Sequence, residues 1–375
     1  MIINFKILQF QLKKITTIAK PKKSSSFAYK SKFSAVKYFF LFFGFTSLLF
    51  AQNKDYISYH KNINKAEVLF FMEHKTDSAL FYYEKVFKDY DFIFVKDLVN
   101  AAQIAVYSKK PYRKYIEQGF EQGLKLSHLD KFKLFDSVLP ILNKDKNLLK
   151  IYNIKRKEYI KKIDFKYLDW IYKMAIKDQQ NKHEKVKINM VKYNDVLLPF
   201  TDRLMDSIVK KGFPGDRLLG IGDSTIFKEI GRPDLDMYKQ RKKDKRLFYM
   251  NSDESILSQE WPQVIFVHNN CSYFLYESIF LNEIKKGNIH PRDVGLIYDN
   301  VIRYKGSLPN YCDGVKIKGV YLLNIFTNYT NYNNKKQTNA MRKALHIVSS
   351  EVDEKKREFE VDYGFKLFTG FWFCR

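Results

Sequence analysis

Apolar residues recur at the spacing of an α-helix through much of the chain between residues 63 and 142. Within each stripe they stand at positions i, i+3, i+4 and i+7, which places them on one helix face. Short polar turns at residues 75–77 and 109–111 separate the stripes. The pattern therefore predicts a helix, a turn and a helix, repeated. The stripes are Ala79, Tyr82, Tyr83, Val86 and Phe87; Leu98, Ala101, Ala102, Ala105 and Val106; and Tyr112, Tyr115, Ile116, Gly119, Phe120 and Gly123.

The first and third stripes begin 33 residues apart, at Ala79 and Tyr112. This spacing, together with small residues that allow close helix approach, resembles about two degenerate tetratricopeptide units, whose period is about 34 residues. Two such units bury too little surface to stand alone, so we expect residues 132–142 or the next domain to cover them. The resemblance implies a concave surface for a peptide or protein partner. The alternative is that this surface only packs against the rest of the chain.

The second half of the chain is also predicted to be mainly helical, with a small β element near the C-terminus. One predicted helix ends at Gly212 and Pro214, a residue suited to positive φ followed by a helix breaker. Residues 315–326 and 365–374 have the composition of short strands. The predicted helices cover residues 167–178, 202–209, 261–286, 290–303 and about 340–359.

The resulting fold class is mainly α, with tetratricopeptide-like hairpins followed by a helical domain. A lysine-rich stretch with few apolar positions separates the two parts and is expected to form a solvated connecting helix. The predicted organisation is a leader at 1–51, helical repeats at 52–145, the connecting helix at 146–165 and the helical domain at 166–375.

The leader carries nine lysines and no acidic residue before an apolar run at residues 38–50. Such a run is too short for a comfortable membrane span, which needs about 20 residues, and is typical of an export signal. An uncleaved N-terminal anchor with Lys37 on the cytoplasmic side is one alternative. An organelle transit peptide is another, although arginine is scarce. We expect an exported, periplasmic or envelope-associated protein, or one anchored in the inner membrane by residues 38–50.

The charge of the chain is strongly basic, with 66 Lys and Arg against 41 Asp and Glu. The net charge is +25, and loss of the nine leader lysines would leave +16. Such a balance can attract nucleic acid or anionic envelope polymers. Because the lysines are spread along the whole chain, a coding bias explains them better, and we expect no nucleic-acid partner.

Three cysteines, Cys271, Cys312 and Cys374, would permit one disulfide in an oxidising compartment. Three buried free thiols are the first expectation. If a disulfide forms, Cys312 is expected to pair with Cys374, because Cys271 lies within a helical pattern. Since no C-x-x-C occurs, the sequence does not indicate a thioredoxin-type site or a zinc ribbon.

A series of polar motifs runs through residues 167–312. In order and spacing, this region resembles a bacterial family of unknown function with the pattern D-Q-x-x-R, D-x-x-N, G-W-P, Q-H, D-R and G-x-x-Q-x-Y-G-T. Members of that family often carry a helical-repeat segment in front and a signal peptide, so the resemblance implies this architecture. The matching residues are Asp178, Gln179, Asp202, Gly212, Pro214, His268, Asp299, Gly306 and Tyr311.

Many positions depart from the pattern of this family. The change from arginine to Lys182 is not neutral where a planar fork of donors binds a ligand. The resemblance therefore supports the architecture more than an activity. The departures include Lys182 for arginine, Phe213 for tryptophan, Val267 for glutamine, Asn300 for arginine, Pro309 for glutamine and Cys312 for glycine.

His268 is the candidate general base, oriented by Asp178 or Asp299. Because His268 lies on an apolar helix stripe, a structural core histidine is the alternative interpretation. Gln179 and Tyr311 are candidate binding residues.

Other chemistry finds little support in the sequence. Residues 220–224 contain the G-D-S of some esterases, but no histidine follows an aspartate by three positions, as such enzymes require. The same glycines lack the third glycine of a dinucleotide fingerprint, and the seven histidines show no H-E-x-x-H spacing. We therefore expect no cofactor and no metal. The leading prediction is an exported, non-enzymatic binding or scaffolding protein that uses its helical-repeat surface, and the alternative is a hydrolase-like enzyme with His268 as base.

Overall fold

Sixteen α-helices and one 3-10 turn form the part of the chain that the computed structural model describes. This part comprises residues 55–185, 190–223, 225–232, 243–244, 256–269, 271–303, 319–323 and 334–367. The chain divides into two units, residues 1–53 and 54–375. The first unit, which contains the predicted leader, lies outside the described residues.

The N-terminal helices follow one another with short turns. Asp55 caps the first of them, since its carboxylate accepts a hydrogen bond from the Ile57 amide. Asp145 does the same for the amides of Asn147 and Leu148. The helices are α1 Tyr56–Phe71, α2 Thr76–Asp89, α3 Val95–Tyr107, α4 Arg113–Glu121, α5 Leu126–Leu129, α6 Leu139–Lys144 and α7 Lys146–Lys162, with a 3-10 turn at Lys133–Phe135.

The C-terminal helices are more variable in length. They are α8 Phe165–Lys185, α9 Met190–Lys211, α10 Asp216–Leu219, α11 Ile226–Glu229, α12 Trp261–His268, α13 Ser272–Lys286, α14 Pro291–Arg303, α15 Lys335–Ala344 and α16 Ser350–Tyr363.

The mainly helical fold is confirmed, whereas the predicted small β element near the C-terminus is not supported. Residues 319–323 and 365–367 belong to the predicted strands and are irregular, and the other residues of both strands lie outside the described ranges. The aromatic and β-branched composition of these segments reflects burial, since Leu322, Leu323, Phe365 and Leu367 are all core residues.

Consecutive N-terminal helices pack against each other, α1 on α2, α2 on α3, α3 on α4 and α4 on α7. This arrangement is compatible with the predicted helical repeat. The second stripe explains the close packing of α3, because Ala101, Ala102 and Ala105 are fully buried and present little side chain. All residues of α3 from Val95 to Ala105 are buried, so the rest of the chain covers α3 on every side.

An aromatic cluster joins the N-terminal helices to the C-terminal segment of the chain. The rings of Phe70 and Phe71 on α1 and Tyr107 on α3 lie 5.2–6.3 Å from those of Phe359 and Phe365. These distances are typical of favourable edge and offset ring contacts. The core of the repeat helices is therefore completed by residues almost 300 positions further along the chain.

The core of the C-terminal half is built around α12. Every residue of this short helix is buried, and α8, α9, α13 and α14 pack around it. A helix that is apolar on all sides is expected only at the centre of such a bundle.

Two of the predicted helices are interrupted, which corrects the sequence analysis. The helix predicted over residues 261–286 ends at His268 and restarts at Ser272. Asn269 accepts a hydrogen bond from the Cys271 amide, and the Ser272 hydroxyl donates to the Phe266 carbonyl at 2.8 Å. These side-chain bonds replace helical backbone bonds. The helix predicted over 340–359 is likewise split into α15 and α16 by the turn at residues 345–349.

Candidate functional site

His268 and Asp178 form a buried pair between two helices of the C-terminal bundle. His268 is the last residue of α12, and Asp178 lies in α8. The His268 Nδ1 and Asp178 Oδ2 atoms are 2.7 Å apart, and the two side chains are 7% and 0% exposed. Sequence analysis named both Asp178 and Asp299 as possible partners of His268, and the structure brings Asp178 to the ring.

Gln179 extends this pair, because its Nε2 donates to the same Asp178 Oδ2 at 2.9 Å. Its own Oε1 is buried and has no hydrogen-bond partner among the described residues. A buried acceptor without a donor costs about 1–3 kcal/mol, so the amide oxygen is a ready acceptor for a ligand or water. This is the position that the sequence suggested for a binding residue.

Two asparagines complete a polar frame around the end of α12. Asn269 donates to the Thr201 hydroxyl on α9 at 2.7 Å, and Asn300 on α14 donates to the Val267 carbonyl. All three side chains are buried. The frame holds the backbone on both sides of His268, so the imidazole has a fixed orientation relative to the Asp178 carboxylate.

Asp299 has a different role in the hydrogen bonds that the structure describes. Its two carboxylate oxygens accept from the backbone amides of Leu322 and Leu323 at 2.6 and 2.8 Å. This fully buried carboxylate therefore fixes the segment at residues 319–323 on α14. Tyr311, the other candidate binding residue, lies outside the described residues.

Cys271, three residues after His268, is disulfide-bonded. The expectation of three free thiols and the alternative pairing of Cys312 with Cys374 are therefore both wrong. The partner of Cys271 is Cys312 or Cys374, and both lie outside the described residues. The interruption between α12 and α13 takes Cys271 out of the helix, where the sequence had placed it. Because the sulfur is already bonded, it cannot act as a nucleophile beside His268.

A second candidate site lies on α3 and binds an irregular segment of the same chain, residues 365–367. The Gln103 Nε2 donates to the Lys366 carbonyl at 2.9 Å, and the Lys366 amide donates to the Gln103 Oε1 at 2.9 Å. One side chain thus pairs with both backbone groups of one residue. Gln103 is not among the residues predicted from the sequence, although a glutamine within the apolar run of α3 indicates a polar contact inside the core.

The flanking side chains of this segment fill two apolar positions. Phe365 and Leu367 are both buried in the core of the N-terminal helices. They stand two residues apart, and both side chains pack into the same core cluster. The Leu367 amide also donates to Glu360 at 2.6 Å. We call the surface formed by Gln103, Phe70, Phe71 and Tyr107 the repeat groove; residues 365–367 occupy it.

A buried ionic cluster, which the sequence did not reveal, joins α14 and α16 to α1. Arg292 contacts both carboxylate oxygens of Asp353 at 2.7 and 2.9 Å, Arg342 contacts Asp353 as well, and Lys356 contacts Glu67. Burial alone would raise the pKa of Asp353, but the guanidinium groups of Arg292 and Arg342 hold it well below its usual range. The charged residues belong to helices that are distant in the sequence, so no local motif predicts that they form a cluster.

Beside this cluster, a small polar cavity contains His60, Asn100 and Lys96 and has room for about one water molecule. Burial lowers the pKa of His60 to about 3, and burial raises the pKa of the adjacent Asp97 to about 7. His60 Nε2 and Asn100 Oδ1 have no hydrogen-bond partner within the described ranges. A water molecule fits these groups better than a larger ligand.

Asp223, in the G-D-S at residues 222–224, is part of a structural ion network, and Ser224 lies outside the described residues. Asp223 is buried and forms ion pairs with Lys125, at 2.7 Å, and with the Arg156 guanidinium. Arg156 also contacts Glu229 at 2.8 Å. This carboxylate thus ties the loop after α10 to α7.

Comparison with known protein families, curated proteins and solved structures finds no match. The resemblance to the bacterial family of unknown function therefore stays a prediction. Within the ranges described above, no group of three or more His, Cys, Asp or Glu side chains is placed to hold a metal ion. No described helix has the length and apolarity that a bilayer crossing needs.

Proposed function

We propose that this protein is an exported, non-enzymatic binding protein whose repeat groove holds extended peptide segments. The observation that carries the proposal is the double hydrogen bond between Gln103 and the Lys366 backbone. Because it uses only groups that every non-proline residue has, the bond can be made to any extended chain. Two apolar side chains on one side of the backbone then supply selectivity.

Residues 365–367 serve as an internal example of such a ligand. They reach Gln103 from 263 positions away in the sequence, and no described strand supports them. A partner would need an aromatic residue, any residue and an aliphatic residue in extended conformation. It would compete with residues 365–367 for the repeat groove. The apparent affinity for the partner would therefore fall in proportion to the fraction of molecules whose groove is open.

The disulfide of Cys271 supports the exported part of the proposal. Disulfides persist in the periplasm and outside the cell and are rare in the cytosol of mesophiles. The apolar run at residues 38–50, which follows nine lysines, would serve as the export signal. The location is tested by cell fractionation and by the N-terminal sequence of the mature protein. Recovery of the intact chain in the cytosol, with residues 1–51 still attached, would contradict export.

The groove is tested with a fluorescent peptide of sequence YGFKLFT, taken from residues 363–369. The full chain carrying F365S and L367S should bind this peptide at least about tenfold more tightly than the unmodified chain, because its own segment no longer competes. Adding Q103A to that variant should abolish the gain, since the backbone of the peptide loses both partners. Fluorescence anisotropy measures the affinities.

The matched control is the double variant F81S and V361S. These two apolar residues lie outside the repeat groove and are exposed, at 63% and 84%. This variant should bind the peptide as weakly as the unmodified chain. No binding to a natively folded F365S/L367S variant, or binding that Q103A leaves unchanged, would overturn the proposal.

A hydrolase-like activity is the second candidate, and the 2.7 Å contact of His268 Nδ1 with Asp178 Oδ2 favours it. A carboxylate that orients an imidazole is the arrangement of a general base. If the pair is catalytic, His268→Ala and Asp178→Asn should each reduce hydrolysis of activated esters by about 10²-fold or more. If the unmodified chain hydrolyses none, and His268→Ala lowers only stability, by about 1–3 kcal/mol, the pair is structural.

A further inference from the structure

Four exposed lysines form a continuous basic face on α7. Lys146, Lys150, Lys157 and Lys161 follow one another at positions i, i+4, i+11 and i+15. On an α-helix this spacing aligns all four side chains along one side, over a length of about 22 Å. We call this set the lysine stripe.

The opposite side of α7 is fixed in the protein. Leu148, Arg156 and Tyr159 are buried, and Arg156 forms the ion network with Asp223 and Glu229. The Tyr159 hydroxyl accepts a hydrogen bond from the Ile221 amide at 3.0 Å. The helix therefore has one rotational setting, and this setting points the lysine stripe to solvent.

No carboxylate neutralises the lysine stripe in the part of the chain that the structure describes. None of its four lysines takes part in an ion pair there. The only acidic residue of α7 is Glu158, which pairs with Lys155 at 3.2 Å. Four uncompensated charges on a rigid surface point to an anionic partner.

Apolar side chains lie between these lysines. Leu149 and Ile154 line a shallow groove along the helix together with Asn153 and three lysines of the stripe. Ile154 is 47% exposed. A soluble polyanion would gain little from contact with Ile154 and the partly exposed Leu149. A lipid surface, in contrast, accepts apolar side chains below its headgroups while lysines reach the phosphates.

We propose that the lysine stripe docks on an anionic phospholipid surface, with α7 parallel to it. Each lysine held near such a surface strengthens binding about fivefold, so four together contribute roughly several hundred-fold. The association is electrostatic and reversible, because two half-exposed apolar side chains are too few for stable insertion.

Sedimentation of the full chain with lipid vesicles tests this interface. Vesicles of phosphatidylcholine with added phosphatidylglycerol should bind the chain, vesicles of phosphatidylcholine alone should bind it much less, and added salt should weaken binding. The variant K150E/K157E should bind anionic vesicles at least about tenfold more weakly. Both positions are exposed, and an unchanged melting temperature verifies the fold.

The variant K85E/K88E is the matched control. It makes the same change in net charge at two exposed lysines of α2. It should bind the vesicles nearly as well as the unmodified chain. If K150E/K157E binds no worse than K85E/K88E, binding resides in net charge or in the leader, and the proposal fails. Binding to RNA or polyphosphate that exceeds binding to anionic vesicles, and depends on Lys150 and Lys157, would overturn it as well.

Discussion

At the residue scale, much of the charge that this protein buries is concentrated on a few carboxylates that contact several cations each. Asp353 contacts Arg292 and Arg342, and Asp223 contacts Lys125 and Arg156. Ionised side chains are costly to remove from water, and multiple hydrogen bonds offset this cost. A single substitution at such a carboxylate removes the acceptor that two buried cations share.

Asp353→Asn should therefore reduce the free energy of unfolding by about 3–5 kcal/mol, because Arg292 and Arg342 would lose the buried carboxylate that they share. Urea denaturation at neutral pH measures the change. The neighbouring Glu354→Gln is the control, since Glu354 pairs with Lys335 at the surface and should cost less than about 1 kcal/mol. Equal effects of the two substitutions would contradict the role assigned to the cluster.

His60 makes stability depend on pH. Its folded-state pKa of about 3 is below the ordinary value of 6.5, so the unfolded chain takes up the proton first as the pH falls. His60 therefore favours folding fully above pH 6.5, and this contribution is lost as the pH falls toward 3. The raised pKa of Asp97 acts in the opposite direction, since its contribution is lost as the pH rises from 3.8 through about 7.

The comparison of the unmodified chain with His60→Gln isolates the histidine. Between pH 7 and pH 5, the unmodified chain should lose about 2 kcal/mol more unfolding free energy than the variant, which has nothing to protonate at this position. Urea titrations at the two pH values give both slopes. Parallel losses in the two proteins would show that His60 is not held neutral.

The sequence named the site residues only in part. His268 and Asp178 were identified by their place in a motif order, and the structure brings them together. Gln103 and Asp353 were missed, because their partners are Lys366 and Arg292, which no local pattern connects to them. A residue whose role depends on distant backbone or charge can be recognised in sequence only as a polar residue on an apolar face.

At the element scale, apolar periodicity predicted which segments are helical but not where they break. The stripe from Val264 to Ile279 continues smoothly through the interruption at residues 269–271. The break depends on side-chain bonds of Asn269 and Ser272 to the backbone, which the period of apolar residues does not contain. Strand-like composition led to the wrong prediction of a small β element near the C-terminus, because buried irregular segments also favour aromatic and branched residues.

Helix ends offer an element-scale prediction. Gly287 caps α13 at φ +73°, and a Cβ added there would overlap the Tyr56 ring of α1. Gly231, which follows α11, has φ +72° and open space around it. Ala at Gly231 should cost about 1–2 kcal/mol of backbone strain. Ala at Gly287 should cost clearly more, because strain and overlap add.

Thermal and urea unfolding of G231A and G287A measure this difference. Because φ is nearly the same at both glycines, the excess in G287A reports the contact of α13 with α1. Equal destabilisation would mean that Tyr56 moves away without cost.

At the scale of the whole molecule, the disulfide of Cys271 is the only covalent link that the described residues show between distant parts of the chain. Reduction should lower the free energy of unfolding by about 2–4 kcal/mol, because the unfolded chain gains conformational freedom. Thermal melting with and without reductant measures the loss. Cys271→Ser should melt like the reduced protein and respond no further to reductant.

The cysteine partner is found by the same assay. One of Cys312→Ser and Cys374→Ser should match Cys271→Ser, and the other should melt like the unmodified chain. If reductant changes the melting temperature of none of these proteins, the bond makes no contribution to stability.

The Phe365–Leu367 segment has a further consequence for synthesis. Its contact with α3 joins residues 263 positions apart, so the apolar surface of α1 and α3 stays uncovered until residue 367 has left the ribosome. Exposed apolar surface on a partly synthesised chain favours aggregation and is the reason that chaperones are needed. Chains that stop before residue 365 should therefore aggregate or depend on chaperones, even though all their N-terminal helices are present.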